Sequence, residues 1–125
     1  MKAVVLYGPK NVAVGDLPLA ELKAGEVRVK IAYCGICGSD HHKVEGKKNT
    51  RKVTYPVALG HESSGVVADV GEGVTEFKPG DRVTVDPNWG CGKCDFCKDG
   101  KKSYCKNSRG VVKGMAEYIN APFSE

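Results

Sequence analysis

Residues 26–40 read EVRVKIAYCGICGSD, and they carry both a structural and a chemical signal. Val27, Val29 and Ile31 alternate with charged residues, which is the period-two pattern of a half-buried β-strand. The stretch then continues into two cysteines separated by two residues, followed by a serine and an aspartate. The strand predicted here therefore leads directly into side chains that can bind a metal or carry out chemistry.

Most of the remaining first half also favours short strands over helices. The β-branched runs at residues 65–70 and 83–85 adjoin glycine-containing turns and are predicted as strands. The best short helix covers residues 39–44, with Ser39 or Asp40 expected as its N-cap. Because no window shows sustained helical periodicity, we predict a mainly β domain that forms a small or partly open barrel with short helices.

Composition and charge restrict the classes of partner and the compartment. The 125 residues are 41% hydrophobic and 27% charged, which suits one folded domain with one core. The net charge is +4, but lysine and arginine are scattered rather than striped, so we expect no nucleic-acid partner. The N-terminal apolar run is too short for a signal peptide, and no stretch approaches transmembrane length. We therefore expect no membrane partner and a cytoplasmic location, where cysteines stay reduced and favour metal binding over disulfides.

Residues 88–107 are poor in apolar side chains and rich in cysteine, glycine and lysine. Their four cysteines follow the spacing C-x2-C-x2-C-x7-C and are Cys91, Cys94, Cys97 and Cys105. Four thiolates at such spacing favour a closed, structural zinc site, which orders a segment unable to bury a core of its own. The alternatives are unconnected buried cysteines or an iron–sulfur cluster. A ferredoxin-type cluster prefers a final gap of three residues and a following proline, whereas here the gap is seven and a lysine follows.

A second constellation comprises residues 33–42 and 59–62, which contain cysteine, histidine and acidic side chains. These are the ligand types of catalytic zinc, which keeps three protein ligands and one exchangeable position. Taken alone, the residues leave other interpretations open. Cys34 and Cys37 could form a redox pair, His61 could be a hydrogen-bonded core histidine, and Ser39 could serve only as a helix cap.

Four motifs occur in order along the chain: GICGSD at 35–40, GHE at 60–62, KPGDRV at 78–83, and the four-cysteine segment. Together they resemble the N-terminal, GroES-like domain of the zinc-dependent medium-chain alcohol and polyol dehydrogenases. The resemblance covers essentially residues 1–125 and implies a GroES-like, partly open β-barrel with a four-cysteine zinc lobe at about 88–107. No G-x-G-x-x-G fingerprint occurs in the sequence, so the resemblance also implies that the Rossmann cofactor domain is absent from this chain.

The resemblance implies a ligand set for the catalytic zinc. Cys37 and His61 would bind the ion directly. Glu62 would be the third ligand, or a neighbouring group that exchanges with water at the metal. Asp40 would hold the ring nitrogen of His61 that the metal leaves free, as in other carboxylate–histidine–metal arrangements.

The resemblance also assigns proton-transfer roles in the same region. Ser39 would accept the proton of the alcohol, and His42 could pass it to bulk solvent. Cys34 matches no ligand position and is expected to pack within its strand, while His41 is expected to be a solvated neighbour. Trp89 is expected either to line the substrate pocket or to cover the zinc lobe.

The function implied by the resemblance is hydride transfer between a secondary alcohol or polyol and NAD or NADP. Two Zn²⁺ ions would take part, one structural and one catalytic, and the parent enzyme would be a homo-oligomer. One alternative is a stand-alone zinc-binding GroES-like interaction module without catalysis. Another is a quinone-reductase-like relative, although such proteins generally lack these zinc ligands. A strand, glycine-rich turn and helix following residue 125 would favour the enzyme.

Overall fold

The computed structural model describes residues 1–47, 53–110 and 113–123, and these confirm a mainly β chain with short helices. In chain order, the elements are β1 (Lys2–Gly8), β2 (Asn11–Asp16), β3 (Glu26–Gly35), α1 (Gly38–Val44), β4 (Val57–Ala58), β5 (Glu62–Val70), β6 (Arg82–Val85), β7 (Asn88–Trp89), α2 (Asp95–Lys98), a 3-10 helix (Lys102–Tyr104), β8 (Arg109–Gly110) and β9 (Tyr118–Pro122). No helix within these described ranges is long and apolar enough to cross a bilayer.

The larger sheet contains all three strands that alternation and β-branching predict. Its order is β6-β5-β3-β9, and every neighbouring pair is antiparallel. The inward positions of β3 are Val27 and Val29, which are buried with Val67 of β5 and Ile119 of β9. Arg28 and Lys30 alternate with these valines on the opposite face, where Arg28 is half-buried and Lys30 is exposed, so the period-two pattern reflects one buried and one more exposed face.

The smaller sheet has the order β2-β1-β4 and its own small core of Ala3, Val5 and Ala58. The segment just before β9 joins the two sheets. The carbonyl of Met115 accepts the N–H of Val4 on β1 at 2.7 Å, and the carbonyl of Glu117 accepts the N–H of Ile31 on β3 at 2.9 Å. The sheets therefore meet along this seam, while β2 and β6 remain edges in the described structure, which gives the partly open architecture.

The start of α1 differs from the prediction that Ser39 or Asp40 would be its N-cap, and that prediction is wrong. The helix begins at Gly38, and the N-cap is Cys37, whose backbone is extended with φ −86° and ψ 152°. Asp40 occupies the third helical position, and its carboxylate accepts the N–H of Cys37 at 3.2 Å. The acid stabilises the helix start by reaching back to the cap, as the acidic member of a capping box does.

Candidate metal centres

The four-cysteine lobe is closed at its base by a short ladder. Asn88 of β7 pairs with Gly110 of β8, and Trp89 pairs with Arg109, so the two ends of the lobe are held together. Inside the lobe, α2 begins directly after Cys94, which is its N-cap. The single turn of this helix therefore brings the side chains of Cys94 and Cys97, its third residue, close together.

The four sulfur atoms of the lobe converge. The Sγ atoms of Cys91, Cys94, Cys97 and Cys105 all lie within 4.8 Å of one another, and those of Cys94 and Cys97 are 3.6 Å apart. The backbone N–H of Cys91 donates to Cys105 Sγ at 3.3 Å. Zinc–thiolate bonds of about 2.3 Å at tetrahedral angles give sulfur–sulfur edges of about 3.8 Å. The donor set and its spacing therefore fit a four-coordinate zinc with no open position.

The protonation of the lobe thiols is uneven. The backbone N–H of Lys93, and then that of Cys94, lower the pKa of the Cys91 thiol to about 6. Burial raises the pKa of the Cys97 thiol to about 11, and its hydrogen bond with Cys94 acts in the same direction. One thiolate is therefore already available at neutral pH, whereas Cys97 must release a proton when it binds a cation.

A second group of donors comes from two separate parts of the fold. One ligand atom each from Cys37, His61 and Glu62 lies within 4.8 Å of the others. Cys37 caps α1, while His61 immediately precedes β5 and Glu62 is the first residue of that strand. His61 and Cys37 are half-buried and Glu62 is exposed, so a cation bound here would have one side open to solvent. Three donors of different chemistry and an open side are the features of a catalytic rather than a structural zinc site.

Gly35 makes room for the carboxylate of this group. It is the cross-strand partner of Glu62 in the β3–β5 ladder, so the two residues face each other directly. A Cβ atom on Gly35 would collide with Glu62 Oε2 and would lie 3.1 Å from Glu62 Cβ. The absence of a side chain at residue 35 thus allows Glu62 to fold over the strand toward Cys37. The sequence motif contains this glycine, but its spatial role follows only from the strand register.

Asp40 connects the two parts of the second donor group. It is 2% exposed, and its carboxylate accepts the N–H groups of Cys37 at 3.2 Å and of Gly60 at 3.3 Å. Its Oδ1 lies 3.7 Å from His61 Nδ1, which is longer than a hydrogen bond. The carboxylate is thus beside Nδ1, and we expect Nε2 to be the nitrogen that binds a metal. That Asp40 holds His61 by a direct hydrogen bond stays a prediction.

Gly60 is a second glycine whose spatial role its motif does not reveal. Its φ of +87° lies in the left-handed region, and a Cβ there would be 2.7 Å from Cys34 Sγ and 2.6 Å from Met115 Cγ. Its carbonyl accepts the N–H of Gly114 at 3.0 Å. The turn that presents His61 is therefore packed tightly against the seam between the sheets, and only glycine fits at this position.

The remaining candidate residues occupy the same neighbourhood. Ser39 is half-buried on α1, two residues after Cys37, and His42 follows it by three positions, so the two share a helix face. His41 and His42 have ring centres 6.1 Å apart, and His41 is exposed as expected. A proton route from Ser39 to His42 is compatible with this placement and stays a prediction.

Cys34 and Trp89 lie outside both donor groups. Cys34 accepts a hydrogen bond from Ser63 Oγ at 3.6 Å, and none of the six cysteines forms a disulfide. Trp89 packs against the core of the larger sheet. Together with Phe77 and Phe123 it lines a cavity of about 200 Å³. Trp89 therefore occupies the junction between the core and the lobe, and the second donor group does not line this cavity.

The sequence matches a known domain family and several characterised proteins. The family model for the alcohol dehydrogenase GroES-like domain matches residues 23–125. The chain is 41% identical over 106 residues to sorbitol dehydrogenase of Bacillus subtilis (strain 168), covering 84% of this chain and 30% of that protein. It is 43% identical over 120 residues to alcohol dehydrogenase class-3 of Zea mays, covering 95% of this chain and 31% of that protein.

Solved structures show the same similarity in three dimensions. Galactitol-1-phosphate dehydrogenase from Escherichia coli superimposes with a TM-score of 0.87 at 38% sequence identity. The match covers 98% of this chain and 36% of that one. The chain thus spans about a third of the length of the relatives it matches.

Proposed function

We propose, since this chain belongs to the alcohol dehydrogenase GroES-like domain family, that it is the zinc-carrying domain of a zinc- and NAD(P)-dependent dehydrogenase. The observation that carries the proposal is the pairing of one closed and one open donor group in a single domain. The closed group would hold a structural ion, and the open group would hold the ion at which an alcohol binds. A stand-alone interaction module would need the first but not the second.

The lobe cysteines would bind a structural zinc. The segment between β7 and β8 has no buried apolar core in the described structure other than Cys105, so its order depends on the metal and on the β7–β8 ladder. Zinc binding and folding of this segment would therefore be one event. We infer no chemistry at this site, because four thiolates leave no position for a substrate.

At the open site, Cys37, His61 and Glu62 would hold the second zinc. When bound there, zinc supplies Lewis acidity that lowers the pKa of a substrate hydroxyl. Ser39, at the start of α1, would accept the proton that the hydroxyl releases, and His42 on the next turn would deliver it to solvent. These assignments place the proton route on one helix, with Cys37 at its N-terminal end.

The hydride acceptor would be NAD or NADP, bound by a domain that these 125 residues do not contain, since the dinucleotide fingerprint does not occur in them. A secondary alcohol or polyol is the proposed substrate class. It is supported by the order His61-Glu62, by the run Asp86-Pro87 before the lobe, and by relatives named sorbitol and galactitol-1-phosphate dehydrogenase. We further propose a cytoplasmic homo-oligomer with neither nucleic-acid nor membrane partners.

Metal titration of the purified chain tests the proposal. We expect one tight equivalent of zinc in the lobe and a second, weaker equivalent that disappears in Cys37→Ser. A chain that binds only one zinc, or that holds iron in the lobe, would contradict the assignment of the two sites.

The proton route is tested in the full-length enzyme with a polyol and NAD or NADP. Ser39→Ala should keep its zinc while turnover falls by about 10²–10⁴-fold, the range of general acid–base effects. Turnover equal to that of the unmodified enzyme would show that Ser39 is not the proton acceptor. Absence of nucleotide-dependent turnover in the unmodified enzyme would favour the interaction module.

A further inference from the structure

Lys43 has no role in the chemistry proposed above, yet its ammonium lies beside the most buried carboxylate of the open site. Its Nζ is 3.8 Å from Asp40 Oδ1, and the two residues are three positions apart on α1. The Lys43 side chain is 24% exposed, so this is not a freely solvated surface lysine. Its position near the C-terminal end of the helix is also one that favours a cation.

Asp40 acts on both halves of the ligand set through its two oxygens. Oδ2 accepts the N–H of Cys37, and Oδ1 accepts the N–H of Gly60, the residue before His61. One buried carboxylate therefore ties the cap of α1 to the turn that leads into β5. If this carboxylate moved, the spacing between Cys37 and His61 would change with it.

A carboxylate in this position requires a compensating charge. It is withdrawn from water, where burying an ionised group is costly unless that group is paired. A bound dication would face three negative charges, from the Cys37 thiolate, Glu62 and Asp40, while a ligating His61 is neutral. With the ammonium of Lys43 included, these charges sum to zero. The positive charge of Lys43 thus offsets the charge of Asp40 when no metal is bound, and it makes the net charge of the site zero when a dication is bound.

We propose that Lys43 is a positioning residue of the open metal site, which holds the Asp40 carboxylate in the orientation that keeps Cys37 and His61 together. The inference rests on the proposed function, because it assumes that these residues bind a metal. The inference goes beyond the proposed function because it attributes part of the metal affinity of the open site to Lys43, which would touch neither metal nor substrate. Lys43 acts through Asp40 alone.

The test is a Co²⁺ titration of the 125-residue chain, with absorption spectra recorded throughout. Lys43→Met removes the charge and keeps the stem, Lys43→Arg keeps the charge, and Lys10→Met is the control. Lys10 is a suitable control because its exposed ammonium pairs loosely with Glu45 at 4.0 Å and not with Asp40. Cys37→Ser identifies which Co²⁺ signal belongs to the open site, and the tight lobe site reports on folding in the same sample.

We expect Lys43→Met to weaken the second Co²⁺ site by about 10–100-fold, the usual effect of losing a group that supports a metal ligand. Its absorption spectrum should change because the ligand geometry loosens, while the lobe site stays unchanged. Lys43→Arg and Lys10→Met should both retain the affinity of the unmodified chain.

The outcomes separate the two proposals. If the unmodified chain shows no Cys37-dependent second site, the proposed function is wrong. If that site exists but Lys43→Met binds Co²⁺ with unchanged affinity and spectrum, the role of Lys43 is wrong and the proposed function stands. Equal losses in Lys43→Arg and Lys43→Met would also overturn the proposal, because charge would not be the cause.

Discussion

Replacing Gly60 with alanine would add one methyl group at a point that has no room for it. With φ at +87°, the new Cβ would lie 2.6 Å from Met115 Cγ and 2.7 Å from both Met115 N and Cys34 Sγ. The backbone of Met115 is held in place, since its N–H donates to the carbonyl of Leu59 at 2.9 Å. Rotation of a side chain therefore cannot relieve the clash, and the backbone of the turn must move.

Gly73 provides a matched control for the size of this effect. Its φ is +84°, but no atom lies within 4 Å of a Cβ built there. Both substitutions incur the left-handed strain of an L-residue, about 1–2 kcal/mol. Both also gain roughly 0.4–1 kcal/mol from the lower entropy of the unfolded chain. Only Gly60→Ala adds overpacking, which costs about 1–3 kcal/mol. We therefore expect Gly60→Ala to lower the free energy of unfolding by about 1–3 kcal/mol more than Gly73→Ala.

Urea unfolding of the zinc-loaded variants measures this difference. Circular dichroism would follow the sheets, and fluorescence of Trp89, the single tryptophan, would follow the junction with the lobe. Gly60→Ala should also weaken the open metal site, because Gly60 precedes His61 and donates to Asp40. Gly73→Ala should leave that site unchanged. Equal destabilisation by the two substitutions would refute the packing argument, and normal metal affinity in Gly60→Ala would refute its link to the site.

The remaining substitutions test the two metal centres one at a time. Cys94→Ser should abolish binding of the tight zinc, whose binding free energy is roughly 10–16 kcal/mol in such sites. Residues 88–107 should then become sensitive to protease, and a lobe that resists limited proteolysis would contradict this. Cys37→Ser should keep the melting temperature and the lobe zinc while losing the weaker zinc, so normal turnover of this variant in the full-length enzyme would show that its role is misassigned. Gly35→Ala should push the Glu62 carboxylate aside and weaken the open site, by no more than Glu62→Gln does; if calorimetry shows that Glu62→Gln lowers zinc affinity and Gly35→Ala does not, Gly35 is not needed to make room for the carboxylate.

Several features of the protein could be predicted because they depend on local spacing. The alternation of Val27 and Val29 with charged residues identifies a strand whether or not its partners are known. The spacing of the lobe cysteines likewise favours convergence on one ion, since two-residue gaps bring thiolates together over a single turn of chain. Sequence patterns of this kind determine strand identity, the position of the lobe and the chemical types of the ligands.

Other features depend on which distant segments meet. The pairing of β9 with β3 joins the end of the described chain to residues 26–30, near its beginning, and no local pattern indicated this partner. The cap of α1 could not be assigned from residue preference, because Asp40 stabilises the helix from its third position while also binding Gly60, twenty residues away. The sequence by itself determined which side chains were available for metal binding. Only the tertiary structure decided that Gly60 must lack a side chain, that Gly35 leaves room for Glu62 and that Lys43 lies beside Asp40. These constraints arise from the packing of the seam, the strand register and the burial of one carboxylate between segments that are separate along the chain.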